Sequence, residues 1–480
     1  MDGKVALSAG VPLVVDLDGT LLKVDTLHES LALILSHSPR QALNALIALR
    51  HGRANFKAAV ADNLIPDPVT TPVDEAVVAV VKQAHSEGRR VYLATAADRR
   101  IADAFAGARG PCPFDGVFAT EKGINLKGEA KAARLTAEFG FRGFDYVGDA
   151  ADDIPVWRAA RTPLITRGSP RLIAALFRVR PDAVVLSHRA WHVSSYVRAL
   201  RVHQWIKNAL ISLPAIAGHT FNLALVLTLL IAFASFSLGA SSIYLVNDML
   251  DLEHDRSHNE KRHRPFAAGI MPLKHGALIL SVVAATSLGL ALLLPWKFLG
   301  VLLGYFALSF GYAFYLKRKL MIDVVALGSL YGARVLAGSV ATGIATSQWL
   351  MAFCFFIFLS LALIKRATEL MALLETNMYK ISGRNYRRAD LPMINALAAA
   401  AGFGAVLVLA LYINSPDVRL LYRRPDALWG ICIVLVYWLG RVCLLTGRRE
   451  MRQDPVLFAA TDRITWNAVA VVATSFLVAL

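Results

Sequence analysis

Cysteine and charge are both scarce in this sequence. Only four of the 480 residues are cysteines, and no two of them form a CxxC pair. Three of the four (Cys354, Cys432 and Cys443, but not Cys112) lie in apolar runs. The cysteines therefore predict neither a disulfide framework nor a zinc site. Charged residues make up 18% of the chain and hydrophobic residues 56%, a balance that excludes a soluble fold over the whole length.

A long apolar core is also missing from the first residues. The opening sequence MDGKVALSAG lacks one, so we expect no signal peptide and a cytosolic first domain. Residues 1 to about 200 have the composition of a soluble domain, whereas apolar runs dominate from about residue 205. The net charge of +16 fits a protein that lies on an anionic leaflet. Nucleic-acid binding is not predicted, because the basic residues lie mostly in short loops between apolar runs.

The polar stretch NDMLDLEHDRSHNEKRHRP, here called the acidic segment (residues 247–265), follows an apolar run long enough to cross a bilayer. In a helix, Asn247, Asp251 and Asp255 share one face, and Asp248 lies one turn before Asp251. Clustered carboxylates repel one another and are costly near lipid. Magnesium, which takes oxygen ligands and substrate phosphates, would explain them. A solvated polar cap on a membrane helix is the alternative.

Cations follow the carboxylates at once, at Lys261, Arg262 and Arg264. Carboxylates for a metal and cations for phosphate together predict a site for a diphosphate substrate. Further candidate substrate-binding residues stand in or beside the apolar runs: Lys207, Tyr315, Lys317, Asp323, Arg334 and Lys365. For any one of these cations, membrane topology or snorkelling is the alternative explanation.

A different chemistry is indicated near the N-terminus. Residues 11–15 read as a short buried strand that ends in Asp16-Leu17-Asp18-Gly19-Thr20. Strand alternation directs Asp16 and Asp18 to the same side, at the end where α/β sheets bind ligands. Asp16 is a candidate nucleophile toward a phosphoryl group, and Asp18 is a candidate proton donor to the leaving oxygen.

Later segments complete this set of candidates. A second strand, residues 90–95, ends in Thr95, which could bind a phosphoryl oxygen. Lys131, on a predicted helix, could neutralise the phosphate, although Lys122 and Lys127 compete for that role. A third strand, residues 144–147, precedes Asp149 and Asp153. With Asp16, these two carboxylates could form a magnesium site.

The ordered set DxDGT, Thr after a strand, Lys and GDxxxD resembles the haloacid dehalogenase phosphatases over roughly residues 10–170. The resemblance implies an α/β Rossmann-like domain over residues 1–170 with a small helical cap from residues 23–85. It implies Asp16 as nucleophile, Asp18 as general acid and base, and magnesium held by Asp16, Asp18, Asp149 and Asp153. A degenerate domain kept for binding is the alternative. Residues 171–200, apolar with spaced arginines, predict a basic connector of interfacial helices.

The remainder, residues 201–480, predicts an all-α polytopic membrane domain. About nine apolar spans can be counted, with cores at residues 207–219, 223–246, 275–294, 298–315, 321–341, 348–364, 391–413, 427–446 and 464–480. Loop cations place the acidic segment in the cytosol by the positive-inside rule. We therefore expect a multi-pass protein of the inner membrane, with both candidate sites on the cytosolic side.

The NDxxDxxxD row, the KxxRP that follows it and the span count resemble the UbiA superfamily of intramembrane prenyltransferases over roughly residues 197–480. QWIKN at 204–208, the YLK run before Asp323 and the DP pair at Asp454 resemble its decaprenyl-phosphate phosphoribosyltransferase branch. Aromatic prenyltransferases of the superfamily carry a second aspartate-rich motif. Asp323 has no second aspartate after it, which disfavours an aromatic acceptor.

This second resemblance implies a magnesium-dependent transfer of phosphoribosyl from phosphoribosyl pyrophosphate to a polyprenyl phosphate. The first implies removal of the remaining phosphate from the product. An aromatic prenyltransferase with a separate phosphatase domain is one alternative, and a lipid-binding protein without activity is another. Lipid length and oligomeric state are not predicted.

Overall fold

The computed structural model describes residues 10–107, 110–121, 125–188, 193–219, 222–258, 260–373, 384–451 and 455–480. The chain divides into two compact units. The first unit joins Met1–Arg201 to Tyr244–Ser281, and the second joins Val202–Ile243 to Val282–Leu480. The first unit therefore contains the acidic segment as well as the N-terminal motifs. Asp454 and Lys122, both named above, lie outside the described residues.

The first unit is built on a six-stranded, all-parallel sheet of order β3-β2-β1-β4-β5-β6. Its strands are β1 (Leu13–Val15), β2 (Val91–Asp98), β3 (Gly116–Thr120), β4 (Asp145–Gly148), β5 (Pro163–Ile165) and β6 (Val184–Val185). β1 is fully buried, and Leu13 lies opposite both Val91 and Asp145. The strand order reverses between β1 and β4, so their carboxyl ends meet at one crevice. The predicted parallel α/β fold is confirmed.

Among the described residues of this unit, the helices before the acidic segment are α1 (Thr26–His37), α2 (Pro39–Ala48), α3 (Arg53–Asn63), α4 (Glu75–Ser86), α5 (Arg99–Ala106), α6 (Glu129–Phe139), α7 (Ile154–Ala159), α8 (Pro170–Val179) and α9 (Val193–Ala199). The cap is smaller than predicted. α1, α2 and α3 share a core around Ile34, Ala45 and Val60, whereas α4 buries its valines against the sheet.

The α/β fold also extends beyond residue 170, where the sequence predicted an interfacial connector. α8 packs Leu176 into the core that contains Tyr146, and β6 pairs with β5. Arg180 is buried and donates to the carbonyls of Trp157 and Ala160 at 2.7 and 2.6 Å. The apolar face of α8, which suggested membrane contact, therefore packs on the sheet. Arg180, one of the spaced arginines, instead binds backbone carbonyls of the α/β fold.

Helices form the rest of the chain: α10 (Leu213–Ala217), α11 (Leu223–Leu250), α12 (Leu252–Ser257), α13 (Leu273–Ala291), α14 (Trp296–Phe314), α15 (Ile322–Thr342), α16 (Gln348–Ala372), α17 (Leu391–Ile413), α18 (Pro416–Leu421), α19 (Trp429–Gly447), α20 (Pro455–Thr461) and α21 (Arg463–Ala479). Short 3₁₀ turns occur at Leu49–His51, Ala151–Asp153, Lys261–His263, Leu316–Arg318, Arg388–Asp390 and Pro425–Leu428, and a longer 3₁₀ segment at Val202–Ser212.

Within the described residues, seven helices are long and apolar enough to cross a membrane: α11, α13, α14, α15, α16, α17 with its preceding turn, and α19 with its preceding turn. The count of nine is not confirmed. The first expected span divides into the 3₁₀ segment and the five-residue α10, where Pro214 stands at the helix start. The last expected span, α21, is apolar but only 17 residues long.

Candidate functional site

Three carboxylates gather where β1 and β4 end. One carboxylate oxygen from each of Asp16, Asp149 and Asp153 lies within 4.8 Å of the others, and within the described residues no other group of His, Cys, Asp or Glu meets this spacing. Backbone N–H groups of Asp149 and Ala150 donate to Asp153 at 3.2 and 3.1 Å and fix its second oxygen. An all-oxygen set of this kind fits Mg²⁺.

Lys131 bridges two of these carboxylates, Asp16 and Asp153. Its ammonium donates to Asp16 at 2.7 Å, to the Tyr146 hydroxyl at 3.0 Å and to Asp153 at 3.4 Å. Burial alone would lower the pKa of Lys131, but Asp16 and Asp153 raise it, so the ammonium stays charged. Lys127 instead pairs with Asp152 at 2.8 Å, which selects Lys131 as the cation of this site. Tyr146, which donates to Asp153 at 2.7 Å, was missed by the sequence analysis.

Asp18 lies beside the cluster rather than in it. Its carboxylate accepts from the Thr26 N–H at 2.7 Å, at the start of the cap. Burial raises the pKa of Asp18 to about 7, and Asp25 adds to the increase. Burial also raises the pKa of Asp16 to about 6, against the opposing effect of Lys131. Asp18 is therefore placed to hold a proton, whereas Asp16 is tied to the lysine.

Thr95 is fully buried on β2, where its hydroxyl accepts from the Ala97 N–H at 2.9 Å. The cavity above the carboxylates is lined by its neighbours Ala96 and Ala97. This cavity, about 620 Å³ in volume, also contains Asp16, Asp18, Lys131, Asp149 and Asp153. We call it the carboxylate cavity.

The acidic segment keeps its predicted helical register only in part. Asn247 and Asp248 lie in the last turn of α11, which ends at Leu250. Asp251 occupies the N-cap position of α12, and Asp255 lies within α12. Backbone bonds from Asp251 to Asn247 and from Asp255 to Asp251, at 2.9 and 2.8 Å, continue the i,i+4 spacing across the break.

Arginines already neutralise two of these carboxylates. Arg264 donates to Asp248 at 3.1 Å and to Asp255 at 2.6 Å, and Arg201 also pairs with Asp248. Asp248 and Asp255 are 2% and 1% exposed. Burial raises the pKa of Asp255 to about 6 even though Arg264 opposes the change. The oxygen donors suit Mg²⁺, but Arg264 stands between two of the carboxylates where the sequence predicted a metal ion.

Lys261, predicted beside these acids, reaches the imidazole of His254 at 3.4 Å.

A second polar centre surrounds Arg334 in the other unit. Its guanidinium donates to Asn208 at 2.8 Å and to the Tyr305 hydroxyl at 3.2 Å, and it lies over the ring of Tyr331. The ammonium of Lys207 lies 5.7 Å from the same ring. This places two of the predicted residues, Lys207 and Arg334, around one aromatic surface. Asn208 follows Lys207 in the chain and accepts a hydrogen bond from Arg334, so it links the two residues. The sequence analysis identified Asn208 only as part of QWIKN.

Asp323 is the centre of a buried network. Arg366 donates to it at 2.7 Å, and the Tyr386 hydroxyl donates at 2.5 Å. Arg384 approaches the same carboxylate at 3.8 Å. Both Asp323 and Arg366 are completely buried. Lys365, predicted to bind substrate, is half-buried, and its neighbour Arg366 is the residue that reaches Asp323.

Tyr315 and Lys317 lie on the turn after α14. Tyr315 is 60% exposed, with Lys319 over its ring, and Lys317 is half-buried. Of the two, Tyr315 therefore lies at the surface of its unit.

A family model described as the UbiA prenyltransferase family matches residues 208–469. An uncharacterized protein of Sinorhizobium fredii, y4nM, is 36% identical over 473 residues, which cover 98% of this chain and 91% of that protein. A decaprenyl-phosphate phosphoribosyltransferase of Corynebacterium glutamicum is 40% identical over 180 residues, covering 36% of this chain and 54% of that protein. This chain thus spans about half the length of that transferase.

A solved structure of a HAD-family hydrolase from Salmonella enterica serovar Typhi aligns with the N-terminal region at 16% identity and a TM-score of 0.27. The alignment covers 38% of this chain and 69% of that chain. A likeness this distant supports no argument about activity.

Proposed function

Because the chain belongs to the UbiA prenyltransferase family, we propose that its membrane part transfers 5-phosphoribosyl from phosphoribosyl pyrophosphate to a polyprenyl phosphate. The observation that carries this proposal is the 40% identity to a decaprenyl-phosphate phosphoribosyltransferase. The protein is proposed to lie in the inner membrane with both active sites on the cytosolic side.

The reaction joins a lipid phosphate oxygen to the anomeric carbon while the bond from that carbon to pyrophosphate breaks. Asp248, Asp251 and Asp255 would hold Mg²⁺, with Asn247 orienting the row. When bound, the ion would neutralise negative charge on the departing pyrophosphate. Arg264 and Lys261 add positive charge on the same segment. Because Arg264 bonds two of the acids, it must exchange carboxylate partners for phosphate when the donor binds.

The remaining predicted residues, apart from Asp323, are assigned to substrate binding: Lys207, Tyr315, Lys317, Arg334 and Lys365. Arg334 over the Tyr331 ring offers a charged and aromatic surface. Asp323, which is fully paired with Arg366 and Tyr386, is assigned to holding those groups in place. The chemistry throughout is positioning and charge neutralisation.

The N-terminal domain is proposed to be a phosphatase that removes the 5-phosphate from the lipid-linked product. Asp16 attacks the phosphorus, and Asp18 gives its proton to the departing sugar oxygen. Asp16, Asp149 and Asp153 would hold Mg²⁺, and Lys131 fixes the attacking carboxylate. Water then releases inorganic phosphate from Asp16, with Asp18 taking the proton back. The product is a polyprenyl phosphoribose.

Replacing Asp251 tests the transfer step. Asp251→Ala removes one carboxylate from the proposed metal set, so formation of lipid-linked ribose from labelled phosphoribosyl pyrophosphate should fall at least about 100-fold. Asp426→Ala, which removes an exposed carboxylate elsewhere, should have no effect. Full activity of Asp251→Ala, or full activity in excess chelator, would contradict the proposal. Transfer of a prenyl group to 4-hydroxybenzoate would favour an aromatic prenyltransferase instead.

Replacing Asp16 tests the second step separately. Asp16→Asn keeps the side-chain shape but removes the nucleophile, so transfer should continue and the 5-phosphorylated lipid should accumulate. Mass analysis of the lipid fraction distinguishes the two products, which differ by one phosphate. Asp103→Asn, which changes an exposed carboxylate on α5, serves as the control. Identical lipids from Asp16→Asn and wild type would show that this domain acts on another substrate.

A further inference from the structure

One wall of the carboxylate cavity comes from residues 266–274, which follow the acidic segment. Phe266, Met271, Pro272, Leu273 and Lys274 all line the cavity that contains Asp16. We call residues 266–274 the loop wall. All of it belongs to the same compact unit as the α/β fold, although the sequence assigned it to the membrane domain.

Buried contacts hold the loop wall in place. Arg256 of α12 donates to both oxygens of Glu29 on α1, at 2.7 and 2.5 Å, and the two side chains are 4% and 1% exposed. The same guanidinium donates to the Ala267 carbonyl at 3.1 Å. Phe266 and Met271 are buried in one core with Leu33 of α1. A buried pair of this kind is costly to break, so the wall has a fixed position above the cavity.

The backbone of the wall also approaches the α/β fold closely. A Cβ built on Gly269 would lie 2.7 Å from the Cβ of Lys23 and 3.0 Å from the ring of Pro72. Arg167 donates to the Gly269 carbonyl at 3.3 Å. The cavity is therefore closed on this side by packed chain rather than by a loosely placed loop.

Charge on this side of the cavity favours an anion. Five acids line the cavity outside the carboxylate cluster, and all but Asp18 are paired. The pairs are Glu29 with Arg256, Asp152 with Lys127, Asp25 with His28 and Asp98 with Arg100. The loop wall contributes the exposed cation Lys274, and Lys23 and Arg167 also line the cavity. A volume of about 620 Å³ exceeds what one phosphate group fills.

We propose that Lys274 binds the non-scissile phosphodiester of a lipid-linked phosphosugar while the terminal phosphomonoester lies at Asp16. This inference rests on the proposed function and specifies the substrate class of the phosphatase, a sugar that carries two phosphate groups. Hydrolysis consumes one water, breaks the terminal phosphorus–oxygen bond, releases inorganic phosphate and leaves a sugar hydroxyl. The phosphodiester is unchanged.

Three probes separate the contributions of phosphate and lipid: ribose 5-phosphate, its methylphosphodiester at C1, and its farnesylphosphodiester at C1. Hydrolysis by the full-length protein in detergent is followed by phosphate release. Wild type should show a lower KM for both phosphodiesters than for ribose 5-phosphate. Lys274→Ala should raise KM for the phosphodiesters about tenfold more than for ribose 5-phosphate. Lys274→Arg should restore most of the difference, and Lys82→Ala, an exposed lysine on α4, should match wild type.

The results distinguish failure of the second phosphate site from failure of the proposed lipid substrate. Equal KM values of wild type for all three probes, or an equal effect of Lys274→Ala on all three, would overturn the second phosphate site while leaving the phosphatase proposal standing. A preference confined to the farnesyl probe would also overturn it, because the lipid tail would then carry the recognition. Hydrolysis of ribose 5-phosphate with no hydrolysis of either phosphodiester would contradict the proposed lipid substrate itself.

Discussion

Gly19 lies so close to Asp149 in the carboxylate cavity that a single added carbon atom would clash there. Its backbone has a φ of +77°, a conformation that side chains with a Cβ rarely adopt. A Cβ there would lie 2.3 Å from a carboxylate oxygen of Asp149. The glycine is therefore required twice, once by the turn after β1 and once by the Asp149 carboxylate beside it.

Gly19→Ala should abolish phosphatase activity, because Asp149 must move away from Asp16 and Asp153. Gly88→Ala is a matched control, since Gly88 has a φ of +72° but no atom within 4 Å of the point where a Cβ would lie. Both variants should lose about 1 kcal/mol of unfolding free energy from backbone strain. Only Gly19→Ala should lose phosphate release. Equal activity of the two variants would show that the Asp149 position is not needed.

One physical rule predicted that the carboxylates at the strand ends meet in this cavity. Parallel strands end at the same edge of a sheet, so Asp16, Asp18 and Asp149 had to be neighbours once the strands were recognised. The rule does not choose between nearby lysines. Only the structure shows that Lys127 pairs with Asp152, whereas Lys131 pairs with Asp16. It also gives no signal for Tyr146, whose hydroxyl reaches Asp153 from inside a strand.

At the scale of elements, the 3₁₀ segment Val202–Ser212 is held by contact with α15. A Cβ on Gly338 of α15 would lie 1.9 Å from the carbonyl oxygen of Ile211. The segment carries Lys207 and Asn208, and Asn208 also donates to Ser237 at 2.9 Å. The position of Lys207 and Asn208 therefore depends on residue 338 of α15 being a glycine, which has no side chain.

Gly338→Ala should displace the 3₁₀ segment and reduce phosphoribosyl transfer at least about tenfold, because the backbone carbonyl cannot yield as a side chain can. Gly332→Ala, on the same helix with no atom within 4 Å of its Cβ position, should retain activity. Its unfolding free energy should rise by up to about 1 kcal/mol, since alanine favours helix over glycine. Unchanged transfer in Gly338→Ala would show that the segment is not part of the active site.

Hydrophobic periodicity identified helices correctly but not what their apolar faces contact. α8 reads as an interfacial helix, yet Leu176 packs beneath the sheet. Residues 207–219 read as a span, yet the chain there divides beside Pro214 into a 3₁₀ segment and the five-residue α10. Amphipathicity reports that a face is buried, and only tertiary structure shows whether protein or lipid covers it.

At the scale of the whole molecule, the ion pair of Glu29 with Arg256 joins chain segments 227 residues apart. Nothing in local sequence predicts such a pair, because both residues stand on ordinary polar helix positions. The Asp323–Arg366 pair has the same character. Long-range partners of this kind are the part of both candidate sites that sequence patterns could not supply.

Glu29→Ala leaves the Arg256 guanidinium buried without its partner, which should lower the unfolding free energy of the first unit by about 3–5 kcal/mol. The exposed pair Arg134–Glu138 is the comparison, and Glu138→Ala should cost no more than about 1 kcal/mol. Urea-dependent proteolysis of the N-terminal region measures both. The double variant Glu29→Leu with Arg256→Met should recover much of the loss. Equal stability of Glu29→Ala and Glu138→Ala would contradict the assigned role of the buried pair.

The discontinuity of the first unit imposes an order on its synthesis. Leu33 and Ala199 leave the ribosome before α11, whereas Leu252, Phe266 and Met271 leave after it, although all five share one core. Until α11 has been made, the cap keeps an uncovered apolar face and Glu29 lacks its arginine. The N-terminal region therefore matures only after the first of the described membrane helices has been translated. Nascent chains arrested before residue 252 should remain protease-sensitive at α1, and chains extended past residue 281 should not.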